Sequence, residues 1–127
     1  MVAPALRFLV ADPLDGVQVF VRRLLEGYGF DPQRIHCCAG SNEALQVGLA
    51  QAPDFLLTDW FGGASPTGLQ LVEQLRARNR ELRVGFLSFQ VTPEIEAAAA
   101  GVGSRFLLKK PFDAAVEAMK EVQGAVI

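Results

Sequence analysis

Four residues with reactive or charged side chains stand at the ends of short apolar runs. Asp12 follows Arg7-Phe8-Leu9-Val10-Ala11, and Asp59 closes Phe55-Leu56-Leu57-Thr58. Ser88 lies near the end of Arg83-Val84-Gly85-Phe86-Leu87-Ser88-Phe89, and Phe106-Leu107-Leu108 runs into Lys109-Lys110-Pro111. Two carboxylates, a hydroxyl and an ammonium are a set suited to a divalent cation plus a phosphoryl group. Hard oxygen ligands hold the cation, and a positive point charge meets the phosphoryl oxygens. The set acts together only if its four strands end on one edge.

The chain between these residues has the rhythm that would bring this about. Apolar runs rich in Val, Leu, Ile and Phe alternate with helix-period segments. After the first run, Val17, Phe20, Val21, Leu24, Leu25 and Tyr28 make one helical stripe, and Gly27 and Gly29 mark its stop. A second strand is predicted through Arg34-Ile35-His36-Cys37-Cys38-Ala39. The next helix has Ser41 as its cap, carries Ala44, Leu45, Val47 and Leu49, and stops near Pro53. A loop rich in Gly, Ser and Pro, from Trp60 to Thr67, leads to a helix with Leu69, Val72 and Leu75 on one face. Thr92 and Pro93 open a fourth helix that ends near Gly101. Asp113 caps a fifth, with Val116, Met119 and Val122 inward. Five strands alternating with five helices predict a doubly wound, five-stranded parallel sheet covered on both faces, with ligands at the carboxyl ends of the strands.

Composition fits this reading and narrows the function. With 127 residues, half of them apolar, the chain is expected to form one domain over 1–127. A net charge of -2 and a pI of about 5.3 do not favour a nucleic-acid surface. No apolar run approaches the roughly 18 residues that span a bilayer, and the N-terminus lacks a signal-peptide pattern. Cys37 and Cys38 are adjacent, a spacing that suits neither an ordinary disulfide nor a metal clip, so a reduced, cytoplasmic protein is expected.

Each residue also has a purely structural reading. Asp59 is also explicable as a loop or cap carboxylate, although an acid closing an apolar strand favours chemistry. Asp12, before Pro13, is also explicable as a cap of the first helix. Ser88 reads equally as a satisfied core hydroxyl. Asp15 suits a first helical turn with no chemistry involved. His36 reads as a strand residue, and Trp60 as a packing or pocket-rim residue.

The motifs in order, Phe8-Leu9-Val10-Ala11-Asp12, Asp54-Phe55-Leu56-Leu57-Thr58-Asp59-Trp60, Gly68-Leu69, Leu87-Ser88 and Lys110-Pro111-Phe112, resemble the receiver domains of two-component response regulators. The resemblance covers nearly the whole chain. It implies the flavodoxin/CheY-like fold with strand order 2-1-3-4-5. It also implies that Asp59 accepts a phosphoryl group from a sensor histidine kinase or phosphotransfer protein, and that Lys110 and Ser88 contact phosphoryl oxygens. Asp12, Asp59 and the backbone carbonyl of Phe61 would hold magnesium, and the Lys110–Pro111 peptide would be cis. A switched surface of the fourth helix, fifth strand and fifth helix would be read by a downstream protein, an output domain or a second copy. Such a protein is a switch rather than an enzyme beyond self-catalysed phosphotransfer and dephosphorylation.

Four departures stand against this pattern. Pro13 replaces the second of two adjacent acids, so weak magnesium binding is expected. The segment Phe61-Gly62-Gly63-Ala64-Ser65-Pro66-Thr67 lacks the usual Met-Pro pair and carries one more residue. Phe89 stands where the family keeps a small residue beside the site. Phe106 lies three residues before Lys109 whereas the proline selects Lys110, which leaves Lys109 as an alternative. The aromatic switch then falls on Phe106 or on a replaced Leu107. A receiver fold used as a binding module without phosphorylation is therefore the alternative function. A dinucleotide-binding enzyme is disfavoured, because Ala11-Asp12-Pro13-Leu14-Asp15-Gly16 has no glycine-rich fingerprint.

Overall fold

Residues 5–110 are described by a computed structural model. The strands are β1 (Phe8–Ala11), β2 (Ile35–Cys38), β3 (Phe55–Asp59), β4 (Arg83–Ser88) and β5 (Phe106–Lys109). The helices are α1 (Asp15–Gly27), α2 (Ser41–Gln51), α3 (Gly68–Arg76) and α4 (Pro93–Gly101), with a short 3-10 turn at Pro32–Arg34 before β2. All strand pairs are parallel, in the order β2-β1-β3-β4-β5. The expected fifth helix with its Asp113 cap, and the expected cis peptide before Pro111, lie outside the described residues. Among the described residues the cis peptide is Ser65–Pro66.

Alternation along each strand divides the core between two faces, as the two-residue period of a strand requires. Phe8, Val10, Phe55, Leu57, Leu87 and Phe106 face the α1 side, where they meet Val21, Leu25, Phe30 and Ile35. Leu9, Ala11, Leu56, Val84 and Phe86 face Ala44 of α2, Leu71, Val72 and Leu75 of α3, and Ala99 of α4. On the α1 side, Phe8 and Phe55 stack at 6.0 Å and Phe55 and Phe106 at 6.4 Å between ring centroids, with Phe30 edge-on to Phe8. The Phe106 ring reaches Phe55 across β4 because residue 85 is glycine. A Cβ there would lie 2.2 Å from the Phe106 ring.

Several local expectations are corrected. Gly40, not Ser41, is the cap residue of α2, and no side-chain cap bond forms there, because Ser41 is already helical and buried. The alternative reading of Asp12 as the cap of α1 does not hold. Leu14 is the cap residue, and Pro13 precedes the helix rather than opening it. Phe20 and Tyr28 of the α1 stripe are exposed, as is Leu49 of α2. The buried stripe of α1 is narrower than its spacing predicts: only Val21 and Leu25 are buried. Thr92 accepts from the Ile95 N–H and Pro93 opens α4, as the sequence predicts. Helix α3 carries a capping box between Thr67 and Gln70 that the sequence reading did not identify.

Candidate functional site at the carboxyl edge of the sheet

The strand register decides which side chains meet. Ala11 lies beside Cys38 and Thr58, Asp59 beside Leu87, and Ser88 beside Lys109. The chain leaves β1, β3 and β5 at the same edge. The ladder is extended there by bonds from Asp12 N–H to the Cys38 carbonyl, from Trp60 N–H to Leu87, and from Lys110 N–H to Ser88. This edge spans β1 and β3, where the strand order reverses, the position at which open α/β sheets gather ligands.

Lys110 joins the two acids. Its Nζ donates to Oδ2 of Asp12 at 2.6 Å and to Oδ1 of Asp59 at 2.6 Å. The remaining carboxylate oxygens are held by backbone. Oδ1 of Asp12 accepts from the Leu14 N–H at 3.0 Å, and Oδ2 of Asp59 accepts from the Phe61 N–H at 2.8 Å. The Lys110 and Asp12 side chains are fully buried, whereas 17 % of the Asp59 side chain is exposed. Of the two acids, only Asp59 is open to an incoming group.

The positions of these groups have local causes. Phe61 takes a left-handed backbone, φ +49°, which is uncommon for a residue with a side chain and turns its N–H back to Asp59. The buried Phe61 ring anchors that turn, and its carbonyl accepts from the Ala64 N–H. Gly68 is required beneath it, since a Cβ would stand 2.6 Å from the Trp60 carbonyl oxygen and 2.9 Å from that of Asp59. The Gln18 side chain of α1 donates to the Asp12 carbonyl at 2.7 Å, fixing the turn after β1. Gln18 was not singled out from the sequence, and Gly68 was noted only as part of a motif. Neither contact leaves a local sequence signal, because each depends on how loop and helix approach one another in space.

Burial raises the Asp12 carboxyl above its ordinary pKa, against the lowering effect of its bonds to Lys110 and to the Leu14 N–H. Asp59 adds to the rise through like charge. The group of three carries one net negative charge when all are ionised. Two carboxylates this close are tolerable because one ammonium serves both.

Ser88 is buried at the same edge but turned away from the acids. Its hydroxyl donates to the Gln90 carbonyl at 2.7 Å. The Phe89 ring is 52 % exposed and lies over Lys110, with the ring centroid 4.8 Å from Nζ. Trp60 is half-buried and packs edge-on to Phe86 at 5.0 Å. Asp15 is exposed in the first turn of α1, and His36 is half-buried on β2; neither belongs to the cluster. Cys37 and Cys38 are free thiols on β2; the Cys38 backbone borders the site through its bond from Asp12 N–H, and its thiol is pushed up to about 12, chiefly by burial.

No family model matches the chain, and no curated protein matches it. Solved structures do. Chemotaxis protein CheY4 of Vibrio cholerae superposes with a TM-score of 0.76 at 21 % identity, covering 96 % of this chain and 98 % of that one. A CheY-like receiver domain from Methanospirillum hungatei gives 0.80 at 15 % identity, covering 94 % and 92 %. The receiver domain of the Francisella response regulator 1452 gives 0.77 at 26 % identity, covering 93 % of each chain. The fold is that of a CheY-like receiver domain.

Within the receiver fold, the register around the lysine takes a definite form. Lys109 is exposed on β5 beside Ser88, and it is Lys110 that turns inward to the acids. Leu107, three residues before Lys110, faces the α4 side of the sheet, while Phe106 is buried in the α1-side core. The place three before the inward lysine is therefore held by an aliphatic residue. Among the described residues no group of three or more acids, histidines or cysteines is arranged to hold a metal ion. No helix among them is long and apolar enough to cross a membrane.

Proposed function

We propose that this chain is a two-component receiver in which Asp59 accepts a phosphoryl group from the phosphohistidine of a partner kinase or phosphotransfer protein. The carrying observation is the bridge of one buried ammonium between Asp12 and Asp59, with Asp59 alone reachable from solvent. An Asp59 carboxylate oxygen attacks phosphorus, the P–N bond breaks, and its electron pair returns to the partner's imidazole. Lys110 moves its hydrogen bond from the carboxylate to a phosphoryl oxygen as that charge arrives. Asp12 retains Lys110 at the site during the exchange. The Phe61 N–H stays on the acyl oxygen that does not carry phosphorus.

Asp12, Asp59 and the Phe61 carbonyl are hard oxygen donors of the kind magnesium takes, and these residues would hold it. When bound it supplies charge neutralisation for the transferred group. With Pro13 where an acid would add a third charge, weak binding is expected. Pro13→Asp is expected to tighten it several-fold, since one charge about 4 Å away is worth on the order of 1 kcal/mol per unit charge even in water.

The Ser88 hydroxyl must leave the Gln90 carbonyl to reach a phosphoryl oxygen. That exchange loosens the turn between β4 and α4 and couples the site to the α4–β5 surface, an ordinary two-state switch. A downstream protein, an output domain or a second copy reads that surface, in a cytoplasmic setting. The chain is a switch and not an enzyme beyond its own phosphotransfer and dephosphorylation.

The alternative is a binding module of the same fold that is never phosphorylated, and one observation favours it. Phe89 covers Lys110 and narrows the approach to Asp59. Trp60, next to Asp59 and the single tryptophan, separates the two readings. Its fluorescence is expected to change saturably with beryllofluoride in the presence of magnesium, and not in Asp59→Asn. A flat response in the parent protein would leave the binding module as the function.

A further inference from the structure

The opposite end of the sheet carries a concentration of positive charge that the phosphorylation site does not use. Arg76 at the end of α3, Arg80 in the following loop, Arg83 at the start of β4 and Arg105 just before β5 line one cavity of about 710 Å³. These are four of the twelve basic residues in a chain of net charge -2. Glu81 is the only acid among the lining residues described, and none of the four arginines forms a salt bridge among the described residues.

The four guanidinium groups differ in role. Arg76 is built in: its Nε and Nη2 donate to the Leu82 carbonyl, and its Nη1 donates to the Val102 carbonyl, tying the α3–β4 loop to the end of α4. Burial, with the charge of Arg105 second, lowers its pKa. Arg80 and Arg105 are exposed, and Arg83 is half-buried. A fixed cation thus stands among three others whose forks no carboxylate of the described residues claims, an arrangement that favours an anion.

We infer that this arginine-lined cavity between α3, β4 and β5 binds a small multivalent oxyanion of the phosphate type. Its volume lies in the range of small-ligand sites, about 300–1,000 Å³. No aromatic ring is among its described lining residues, so a base has only guanidinium planes to stack on and the phosphates are the part chiefly read. The source is either an inorganic polyphosphate or the phosphate tail of a nucleotide.

Titration calorimetry with tripolyphosphate and with ATP, against sulfate at matched ionic strength, tests this on the whole chain. Saturable binding of tripolyphosphate is expected, with ATP binding equally well. Arg80→Ser with Arg105→Ser is expected to weaken it by about tenfold or more, two charge-assisted bonds being lost. Both residues are exposed, so the fold is expected to survive; a far-ultraviolet spectrum checks this. Asp59→Asn is expected to leave the binding unchanged, which separates this cavity from the phosphorylation site. An equal response to sulfate, or undiminished binding in the double variant, would overturn the inference. Binding of ATP about tenfold tighter than tripolyphosphate would overturn the claim that the phosphates are chiefly read.

Discussion

At the scale of single residues, the site is governed by one ammonium shared between two acids. Removing it leaves a fully buried Asp12 and a mostly buried Asp59 facing each other without compensation. Breaking a buried pair by deleting one partner typically destabilises by about 3–5 kcal/mol. Lys110→Met, which keeps the stem and removes the charge, is expected to lose stability in that range by urea unfolding. A loss under about 1 kcal/mol would mean that the bridge is not formed in solution. Asp12 provides an independent test through pH. Its folded pKa is raised, so between the ordinary carboxylate value of about 3.9 and that raised value the folded state holds more protons than the unfolded one. Stability from this group is then complete below the ordinary value and is lost as pH rises through the folded value. Relative to Asp12→Asn, the parent is expected to lose stability as pH climbs from about 4, and parallel curves would contradict the shift.

At the scale of elements, strand β4 shows how the sheet admits the aromatic row behind the site. Gly85 leaves room for the Phe106 ring to cross β4 and stack on Phe55. Gly85→Ala forces that buried ring aside and is expected to destabilise by about 1–3 kcal/mol. Phe106→Leu creates space of its own, and in the double variant the two losses are expected to combine to less than their sum, as for residues in contact. Strict additivity in urea melts would show that ring and glycine do not meet. The parallel sheet and the convergence of Asp12, Asp59 and Lys110 on one edge were legible in the sequence, because apolar runs ending in polar residues carry both strand and edge. The strand order followed only from the family resemblance. The choice between Lys109 and Lys110 was not legible. It depends on the pleat of β5, which puts one lysine outward beside Ser88 and leaves the next turned in. The cap of α2 was misread for a related reason, since Ser41 has the side chain of a cap but lies buried inside the first turn, while the alternative of Asp12 as a mere cap gives way to its bond with Lys110. Phe20 and Tyr28 show that helical spacing gives the direction of a buried face but not its width.

At the scale of the molecule, the parallel sheet has two unlike ends. The carboxyl edge gathers two acids and a lysine around a partly open Asp59, and the amino edge of β4 and β5 gathers arginines around a cavity. The first arrangement is suited to covalent acceptance of a phosphoryl group and the second to reversible capture of an anion. Pro13 and Phe89 adjust the carboxyl edge without dismantling it: one withholds a charge, the other covers the lysine. On the proposed reading, that combination is expected to give a slow but specific phosphoacceptor. The most direct measurement is intact-mass analysis of the protein after acetyl phosphate and saturating magnesium, with rapid quenching and peptide mapping. The expected result is one phosphoryl group per chain, located on Asp59 and missing from Asp59→Asn. No mass gain in the folded parent, or a phosphoryl group that persists in Asp59→Asn, would contradict the account.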